Sequence, residues 1–211
     1  KMKTKNINIE TFHKWALKDK DLNMQKGHTP AVNKMFEIIN NNTNLMESSF
    51  KFLDLGCGNG WVVKEVSKNS FCKKAVGIDG AKAMIDKANK TLSNNQEFIH
   101  ADIESSIIND SFDIIFSMET FYYFKNPSSI VKKIYNDYLN DKGILIIGID
   151  HYLENKESLN WDKEYNLYTN TLSKDEWLNI FKNEHFSNIK LEVFNKKDNW
   201  GGTLIIFAQK L

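Results

Sequence analysis

Short apolar runs alternate with longer amphipathic stretches from residue 51 onward. The runs are mostly continuous in apolar residues, which is typical of strands buried on both faces of a parallel sheet. Five such runs predict five strands: Phe52–Leu55, Ala75–Ile78, Glu97–Ile99, Phe112–Phe116 and Ile144–Ile149. The stretches between them have the length of helices, so the pattern predicts an α/β fold.

Capping signals mark several helix boundaries. Thr29–Pro30 places a cap residue before a proline, which predicts a helix that begins there and ends in the polar run Asn40–Asn44. Asn126–Pro127 opens another helix in the same way. Ser173 and Glu176 have the spacing of a capping box, and they predict the start of a third helix.

The last part of the sequence follows a different pattern. Residues 189–194 and 203–208 are apolar runs joined by a glycine-containing loop. Two strands so close in sequence predict a hairpin that closes an otherwise parallel sheet.

Composition and charge exclude several functional classes. The 211 residues are 41% hydrophobic and 26% charged, as in ordinary globular domains, and no apolar run is long enough to cross a bilayer. The first ten residues lack the apolar region of a secretory signal, so we expect a cytoplasmic protein. With 28 basic and 27 acidic side chains the net charge is +1, which disfavours a nucleic-acid partner without excluding it. Cys57 and Cys72 fit no metal-ligand or disulfide spacing.

The strongest chemical signal is a glycine-rich loop, Asp54–Gly60, directly after the first strand. Glycines let the backbone approach a ligand closely, and ligands bind at the carboxyl edge of open α/β sheets. A dinucleotide fingerprint would need glycine at position 61, where Trp61 stands, and no phosphate-loop Gly-Lys-Ser/Thr follows. Asp54 would also repel a pyrophosphate. The loop therefore favours a nucleoside-containing ligand that carries an ammonium or sulfonium group.

Two further acids follow the next two strands. Asp79 lies nineteen residues after Gly60, close to the offset of roughly 20 at which a strand-end acid meets ribose hydroxyls. Asp102 follows the third strand, where it can accept a hydrogen bond from an exocyclic amine. A helix cap or a solvated loop explains either acid taken singly. As a set with the glycine loop, the acids can bind an amino-acid end, a ribose and an adenine.

These segments together resemble the class I S-adenosylmethionine-dependent methyltransferase family, in particular its small-molecule branch. The matching motifs are Phe52–Gly60, Gly77–Asp79 with Met84, His100–Ile103, Phe112–Ile115 and Leu139–Gly143. The resemblance covers residues 51–211 in the expected order. It implies a doubly wound, Rossmann-like sheet of seven strands, mostly parallel, with an antiparallel last strand.

The resemblance also implies a set of cofactor-binding residues in the glycine loop and at the ends of the following strands: Asp54, Gly56, Cys57, Gly58, Asp79, Gly80, Asp102, Ile103 and Ser117. The loop and Asp54 would line the methionine end of the cofactor, which Ser117 would border. Asp79 would bind both ribose hydroxyls, while Asp102 and Ile103 would contact the adenine. We expect S-adenosylmethionine as the cofactor, S-adenosylhomocysteine as its product, and no metal ion.

Three residues are candidates for a general base, which is useful if the acceptor is a hydroxyl, a thiol or a protonated amine. Glu119 follows the fourth strand and His151 follows the fifth, so both should lie at the carboxyl edge of the sheet. His28 belongs to a segment expected to fold over the cofactor. Each has a structural alternative, because loop histidines are commonly hydrogen-bonded surface residues and Glu119 can act as a cap.

Residues 1–50 are expected to form a helical lid segment ahead of a methyltransferase domain at 51–211, within one structural domain. Phe12, Trp15 and Ala16 share one helical face and need a partner to cover them. We expect Trp15 and His28 to close over the cleft. The alternative is that the segment packs on the outer helices as ordinary core.

An insertion at residues 151–172 is expected to cover the substrate. It carries acids among four large aromatic side chains: Tyr152, Trp161, Tyr165 and Tyr168. Aromatic faces with carboxylates can hold an organic cation, although a solvated helix with a buried stripe is the favoured interpretation. Tyr122, in the run Phe121–Phe124, is expected to contact the substrate, and the run as a whole fits a core better than a pocket wall.

We therefore expect methyl transfer from S-adenosylmethionine to a small molecule. Relatives that methylate amino groups of adenine, cytosine or glutamine carry an Asn/Asp-Pro-Pro-aromatic motif, and Ser117–Thr120 stands in its place here. Two alternatives stay open: a methyltransferase that acts on protein or RNA, and a cofactor-binding protein without catalysis.

Overall fold

Seven strands form one mostly parallel sheet in a computed structural model that describes residues 6–211. The strands are β1 (Phe50–Leu55), β2 (Cys72–Asp79), β3 (Gln96–His100), β4 (Phe112–Met118), β5 (Leu139–Ile149), β6 (Ser187–Phe194) and β7 (Thr203–Gln209). Their order is β3-β2-β1-β4-β5-β7-β6, and β7 runs antiparallel to both of its neighbours. The predicted fold class and the hairpin at the end of the sheet are confirmed.

Seven α-helices connect and cover these strands among the described residues. They are α1 (Ile7–Leu17), α2 (Lys20–Asn42), α3 (Trp61–Val66), α4 (Lys82–Ala88), α5 (Pro127–Lys133), α6 (Trp161–Tyr165) and α7 (Lys174–Asn183). A π-helical turn at Ile134–Tyr138 continues α5 toward β5. Residues 1–5, which belong to the predicted lid segment, lie outside the described residues.

Two of the predicted helix starts are confirmed by their caps. Asn126 accepts a hydrogen bond from the backbone N–H of Ser129 at 3.0 Å and begins α5. Ser173 and Glu176 form the reciprocal bonds of a capping box at the start of α7. These caps satisfy backbone N–H groups that have no partner within the helix.

The predicted start of α2 at Thr29–Pro30 is wrong. The helix begins at Lys20, and Pro30 lies in its interior, where it removes one backbone hydrogen bond. The Thr29 hydroxyl donates to the carbonyl of Gln25 at 2.7 Å, a bond within the helix rather than a cap. The predicted end is confirmed, because α2 stops inside the asparagine run at Asn42.

Two hydrophobic layers enclose the sheet, because successive strand residues point to opposite faces. Phe50 and Phe52 of β1 pack with α2 and α3, whereas Leu53 and Leu55 pack with α5 and α7. Both faces are buried, which explains the continuous apolar runs in the sequence. Within residues 6–211, no helix combines the length and the apolar character that crossing a membrane requires.

Candidate functional site

A cavity of about 430 Å³ opens at the carboxyl ends of β1, β2 and β4, within the size range of small-molecule sites. β1 and β4 are neighbours in the sheet, and the chain extends from β1 toward one edge and from β4 toward the other. Open α/β sheets bind ligands at such a reversal of strand order. Residues of α1, α2 and α6 also line the cavity.

The glycine loop after β1 is held on two sides. Gly56 has a φ of +79°, a conformation that glycine adopts at little cost. A Cβ atom on Gly56 would lie 2.0 Å from Oγ1 of Thr120, so the loop packs directly on the turn after β4. On the other side, the Asp79 carboxylate accepts bonds from the N–H of Gly58 at 2.9 Å and of Ala81 at 2.7 Å.

Asp54 is a buried carboxylate that lacks a partner. Its side chain lines the cavity, is 3% exposed, and accepts no hydrogen bond from residues 6–211. Burial, and then the nearby charge of Asp79, hold the pKa of Asp54 well above its usual range. A buried carboxylate needs a cationic partner, and the ammonium group at the methionine end of the expected cofactor would fit this position.

The second and third acids occupy the ends of the next two strands. Burial raises the pKa of Asp79, and its two backbone hydrogen bonds oppose that rise. Within the part of the chain that the structure describes, the Asp102 carboxylate accepts a bond only from the N–H of Glu104, at 3.1 Å through Oδ1, which leaves Oδ2 as an acceptor for a ligand. Ile103 lines the cavity beside it and offers an apolar surface to a ring.

Eight of the nine expected cofactor residues line this one cavity: Asp54, Gly56, Cys57, Gly58, Asp79, Gly80, Asp102 and Ile103. The ninth, Ser117, lies outside it. Its buried hydroxyl donates to the carbonyl of Leu55 at 2.7 Å and joins the ends of β4 and β1. Ser117 therefore supports the strands beneath the cavity.

Helices α1 and α2, which belong to the expected lid segment, are bound to the rest of the site by polar contacts. The amide of Asn59, in the glycine loop, donates to Asp21 at 3.0 Å and to Gln25 at 3.2 Å, both on α2. Asp21 also pairs with Lys87 of α4 at 2.6 Å. In α1, Nδ1 of His13 accepts from the N–H of Ala83 at 3.1 Å, in the first turn of α4.

The same helices place side chains over the cavity. Phe12 and Trp15 of α1 line it, as does His28 of α2. A Cβ atom on Gly80 would lie 2.6 Å from Cδ1 of Ile9, so α1 is in close contact with the end of β2. Ala16 is fully buried in a small apolar cluster with α4.

Glu119 follows β4 and lines the cavity, with a backbone φ of +58°. Its carboxylate accepts from the hydroxyl of Tyr122 at 2.6 Å and from the N–H of Asp150 at 2.5 Å. The hydroxyl oxygens of Tyr122 and Tyr123 lie 3.1 Å apart, which extends the hydrogen-bonded chain along the cavity wall. Burial first, and then the charge of Asp150, raise the pKa of Glu119 well above its usual range.

His28, Glu119 and Asp150 form a group with the donor types of a metal site. Their ligand atoms all lie within 4.8 Å of one another. Both carboxylates are already engaged, however, since Glu119 accepts two bonds and Asp150 accepts from the hydroxyl of Thr203 at 2.6 Å. Burial lowers the pKa of His28 to about 4, so its ring is neutral at neutral pH.

The structure places His151 and Tyr152 outside the cavity. The His151 ring is buried, its Nδ1 donates to the Ser158 carbonyl at 3.0 Å, and its Nε2 accepts from Thr171 Oγ1 at 2.8 Å. Neither ring nitrogen is free for a substrate proton. The Tyr152 hydroxyl donates to the carbonyl of Gly201 at 2.7 Å, so this side chain is part of the core.

Several cavity residues escaped the sequence analysis. Asp21 and Gln25 line the cavity and bind the glycine loop, and Asp150, which does not line it, contacts Glu119. Trp161 and Tyr165, assigned to a solvated helix with a buried stripe, line the cavity. A usable signal existed for α2, because Asp21, Gln25 and His28 recur at helical spacing, but the misplaced helix start concealed it.

Comparisons with known proteins agree with this geometry. The chain matches a family model described as a methyltransferase domain over residues 53–147, which includes the glycine loop, Asp79 and Asp102. A curated relative, the malonyl-[acyl-carrier protein] O-methyltransferase of Bacillus cereus, is 31% identical over 149 residues. That match covers 65% of this chain and 55% of the relative, so the chain spans about half the length of that protein.

Solved structures share the fold at low sequence identity. A putative methyltransferase in complex with the Haloferax volcanii activator Trm112 has a TM-score of 0.79 and 20% identity, over 94% of this chain and 96% of that one. The phosphoethanolamine N-methyltransferase 2 of Haemonchus contortus, solved with S-adenosyl-L-methionine, has a TM-score of 0.63 and 15% identity, over 77% and 49% of the two chains. In its motifs, its sheet order and the methyltransferase domain model that residues 53–147 match, this chain is similar to the class I S-adenosylmethionine-dependent methyltransferases.

Proposed function

We propose that this protein transfers the methyl group of S-adenosylmethionine to a small-molecule acceptor that binds between the lid helices and α6. The observation that carries the proposal is the buried Asp54 carboxylate, which has no hydrogen-bond donor among residues 6–211 and shares one cavity with Asp79 and Asp102. In this assignment Asp54 faces the ammonium end of the cofactor, Asp79 the ribose and Asp102 the adenine. Phosphate groups would be repelled by the same acids.

The chain's main contribution would be alignment. When bound, the cofactor supplies a methyl group that is activated on a sulfonium. Holding the acceptor in line with that methyl group can contribute roughly 7–11 kcal/mol. We propose that residues 1–50 serve as the lid that excludes water, because Phe12, Trp15 and His28 line the cavity from that segment.

Glu119 is the residue we propose for handling an acceptor proton. It lines the cavity, and the hydroxyls of Tyr122 and Tyr123 continue from its carboxylate. Burial and the charge of Asp150 raise the pKa of Glu119, which makes its carboxylate a stronger base than an ordinary one. His28, with its neutral ring within reach of the same carboxylate, would orient it.

The experiment is transfer of labelled methyl groups from S-adenosylmethionine into separate metabolite, protein and RNA fractions. We expect label in the dialysable small-molecule fraction and formation of S-adenosylhomocysteine. Label found only in protein or RNA would contradict the acceptor class. Cofactor binding without transfer into any fraction would favour a non-catalytic binding protein.

A second candidate is methylation of a carrier-bound carboxylate. It is favoured by the similarity to the B. cereus malonyl-[acyl-carrier protein] O-methyltransferase over 65% of this chain. Purified malonyl-acyl-carrier protein, offered as the acceptor, tests it directly. Methylation of the free carboxyl group would establish this candidate in place of the small-molecule one.

A further inference from the structure

Six aromatic side chains that line the cavity contact one another in a closed circuit. The circuit is formed by Phe12, Trp15, Tyr165, Trp161, Tyr122 and Tyr123. Successive ring centroids lie between 4.3 and 6.4 Å apart, and the last contact returns from Tyr123 to Phe12 at 5.2 Å. Three parts of the fold therefore share one aromatic wall: α1, the turn after β4, and α6. We call these six residues the aromatic cage.

Carboxylates accompany the cage. Glu119 lines the same cavity and accepts the Tyr122 hydroxyl at 2.6 Å, so a carboxyl group touches a ring of the cage. Among the described residues that line the cavity, Lys20 is the sole lysine or arginine, and its ammonium already lies 5.3 Å from the centre of the Trp15 ring. Acids at the cavity far outnumber basic groups.

Aromatic faces carry negative electrostatic potential, and cages of aromatic rings are a known means of binding organic ammonium ions. A free carboxylate would meet both these faces and Glu119, and both contacts are unfavourable to an anion. We propose that the acceptor is a small amine, bound as its ammonium ion in the aromatic cage, and that the reaction is N-methylation. This inference rests on the proposed function and narrows its substrate class.

The proposed N-methylation needs only the bound amine, the cofactor and Glu119. The bound ammonium ion gives one proton to the Glu119 carboxylate, which leaves a lone pair on nitrogen. That lone pair forms the new nitrogen–carbon bond while the carbon–sulfur bond breaks, and its electron pair stays on sulfur as a neutral thioether. The methylated product is again a cation, and Glu119 releases its proton to solvent.

The test uses choline and its uncharged carbon isostere, 3,3-dimethylbutan-1-ol, as probes of the cage. Both are titrated into protein saturated with S-adenosylhomocysteine, with tryptophan fluorescence and calorimetry as readouts. We expect choline to bind at least about tenfold more tightly, because only the cation interacts with the ring faces. Equal binding of the two probes, or tighter binding of the alcohol, would overturn the inference.

Variants of a cage residue test whether the aromatic cage causes the preference for choline. Trp161→Leu should remove most of the preference for choline, whereas Trp161→Phe should retain part of it because an aromatic face remains. Trp200→Leu is the matched control, since Trp200 stacks on Trp161 at 6.3 Å but does not line the cavity. A preference unchanged in Trp161→Leu would contradict the assignment.

Separate titration of S-adenosylhomocysteine distinguishes a failure of the amine inference from a failure of the proposed methyltransferase function. If the product binds but choline is not preferred, the amine inference fails while the methyltransferase proposal stands. If the product does not bind either, the proposed function fails with it.

Discussion

Four carboxyl groups at or next to the cavity have pKa values above their ordinary range, and burial is the first cause in each case. They are Asp54, Asp79, Glu119 and Asp150, of which Asp150 is raised to about 6. A raised pKa means that the folded chain holds these negative charges at a cost in free energy. Binding of a cation lowers that cost. These carboxyl groups should therefore decrease the stability of the ligand-free protein and increase its affinity for positively charged ligands.

Replacing Glu119 by Gln should make the protein more stable at neutral pH. The folded pKa of Glu119 lies above its unfolded value near 4.5, so folding binds a proton and the stability of the parent falls as pH rises through that interval. The variant lacks this loss. Asp150, Tyr122, Tyr123 and His28 face the same carboxyl group and stay unchanged.

Thermal unfolding of parent and Glu119→Gln across pH 4 to 8 measures the effect. We expect the melting temperature of the variant to exceed that of the parent only slightly near pH 4, and the difference to grow with pH. Each kcal/mol of added stability should raise the melting temperature by about 2–4 °C. Glu157→Gln, an exposed position, is the control and should show no such trend. A constant difference, or one that shrinks with pH, would contradict the raised pKa.

Replacing Asp79 by Ala should weaken cofactor binding, because it removes the acceptor proposed for the ribose hydroxyls and releases the N–H groups of Gly58 and Ala81. The expected loss is on the order of 1–3 kcal/mol, or about 5- to 150-fold in Kd. Calorimetric titration of S-adenosylhomocysteine measures it, and circular dichroism checks the fold. Asp86→Ala, an acid on α4 that pairs only with Lys82, is the control. Unchanged affinity in Asp79→Ala would refute the ribose assignment.

The positions of single residues at strand ends could be predicted where they depend only on residues that are close in sequence. Asp54, Asp79 and Asp102 each follow a buried strand directly, so knowing the strand fixes the acid's position at the sheet edge. His151 also follows a strand, yet it turns inward to Ser158 and Thr171. Which way a loop side chain points depends on partners distant in sequence, and no local pattern carries that information.

Among the elements, strands and capped helices were predictable because burial and capping leave local signatures. The start of α2 was not, because proline is acceptable both at the first helical position and, at a cost, in the interior. Tertiary contacts determine where α2 begins. The helix is buried along Val32, Met35 and Ile39. In its first turn, Asp21 binds Lys87 and Asn59. Those contacts stabilise the helix across Pro30.

The attachment of the lid helices should depend on Asp21. Asp21→Ala leaves the Asn59 amide and the half-buried Lys87 with fewer partners, so we expect α2 to loosen from the glycine loop. Affinity for S-adenosylhomocysteine should fall by roughly tenfold, about 1.4 kcal/mol. Limited proteolysis of residues 6–28 should accelerate, and addition of the ligand should slow it again.

Asp19→Ala is the matched control, because Asp19 pairs with the same Lys87 at 2.7 Å but is fully exposed to solvent. Exposed ion pairs contribute little to stability. If the two variants lose affinity equally, the loss reflects the charge of Lys87 and not the buried tether. If neither loses affinity, α2 does not act as a lid.

At the scale of the whole molecule, the cavity unites segments from residue 6 to residue 167. The sequence motifs could predict the acid-lined part of the cavity, because the strands that carry them are adjacent in the doubly wound order. The aromatic cage could not be predicted, because it exists only when α1 and α6 dock on the turn after β4. From the sequence, Trp15, Tyr122 and the aromatic residues of the 151–172 insertion were expected near the substrate, but their joining into one circuit depends on contacts between distant segments.

The central claim is that the acid-lined cavity binds S-adenosylmethionine. Isothermal titration of the purified protein with S-adenosylmethionine, S-adenosylhomocysteine and NAD tests it most directly. We expect saturable binding of the first two and no comparable affinity for NAD, because Asp54 favours a cationic group and repels a pyrophosphate. Tight binding of NAD, with no response to either sulfur-containing ligand, would contradict the claim.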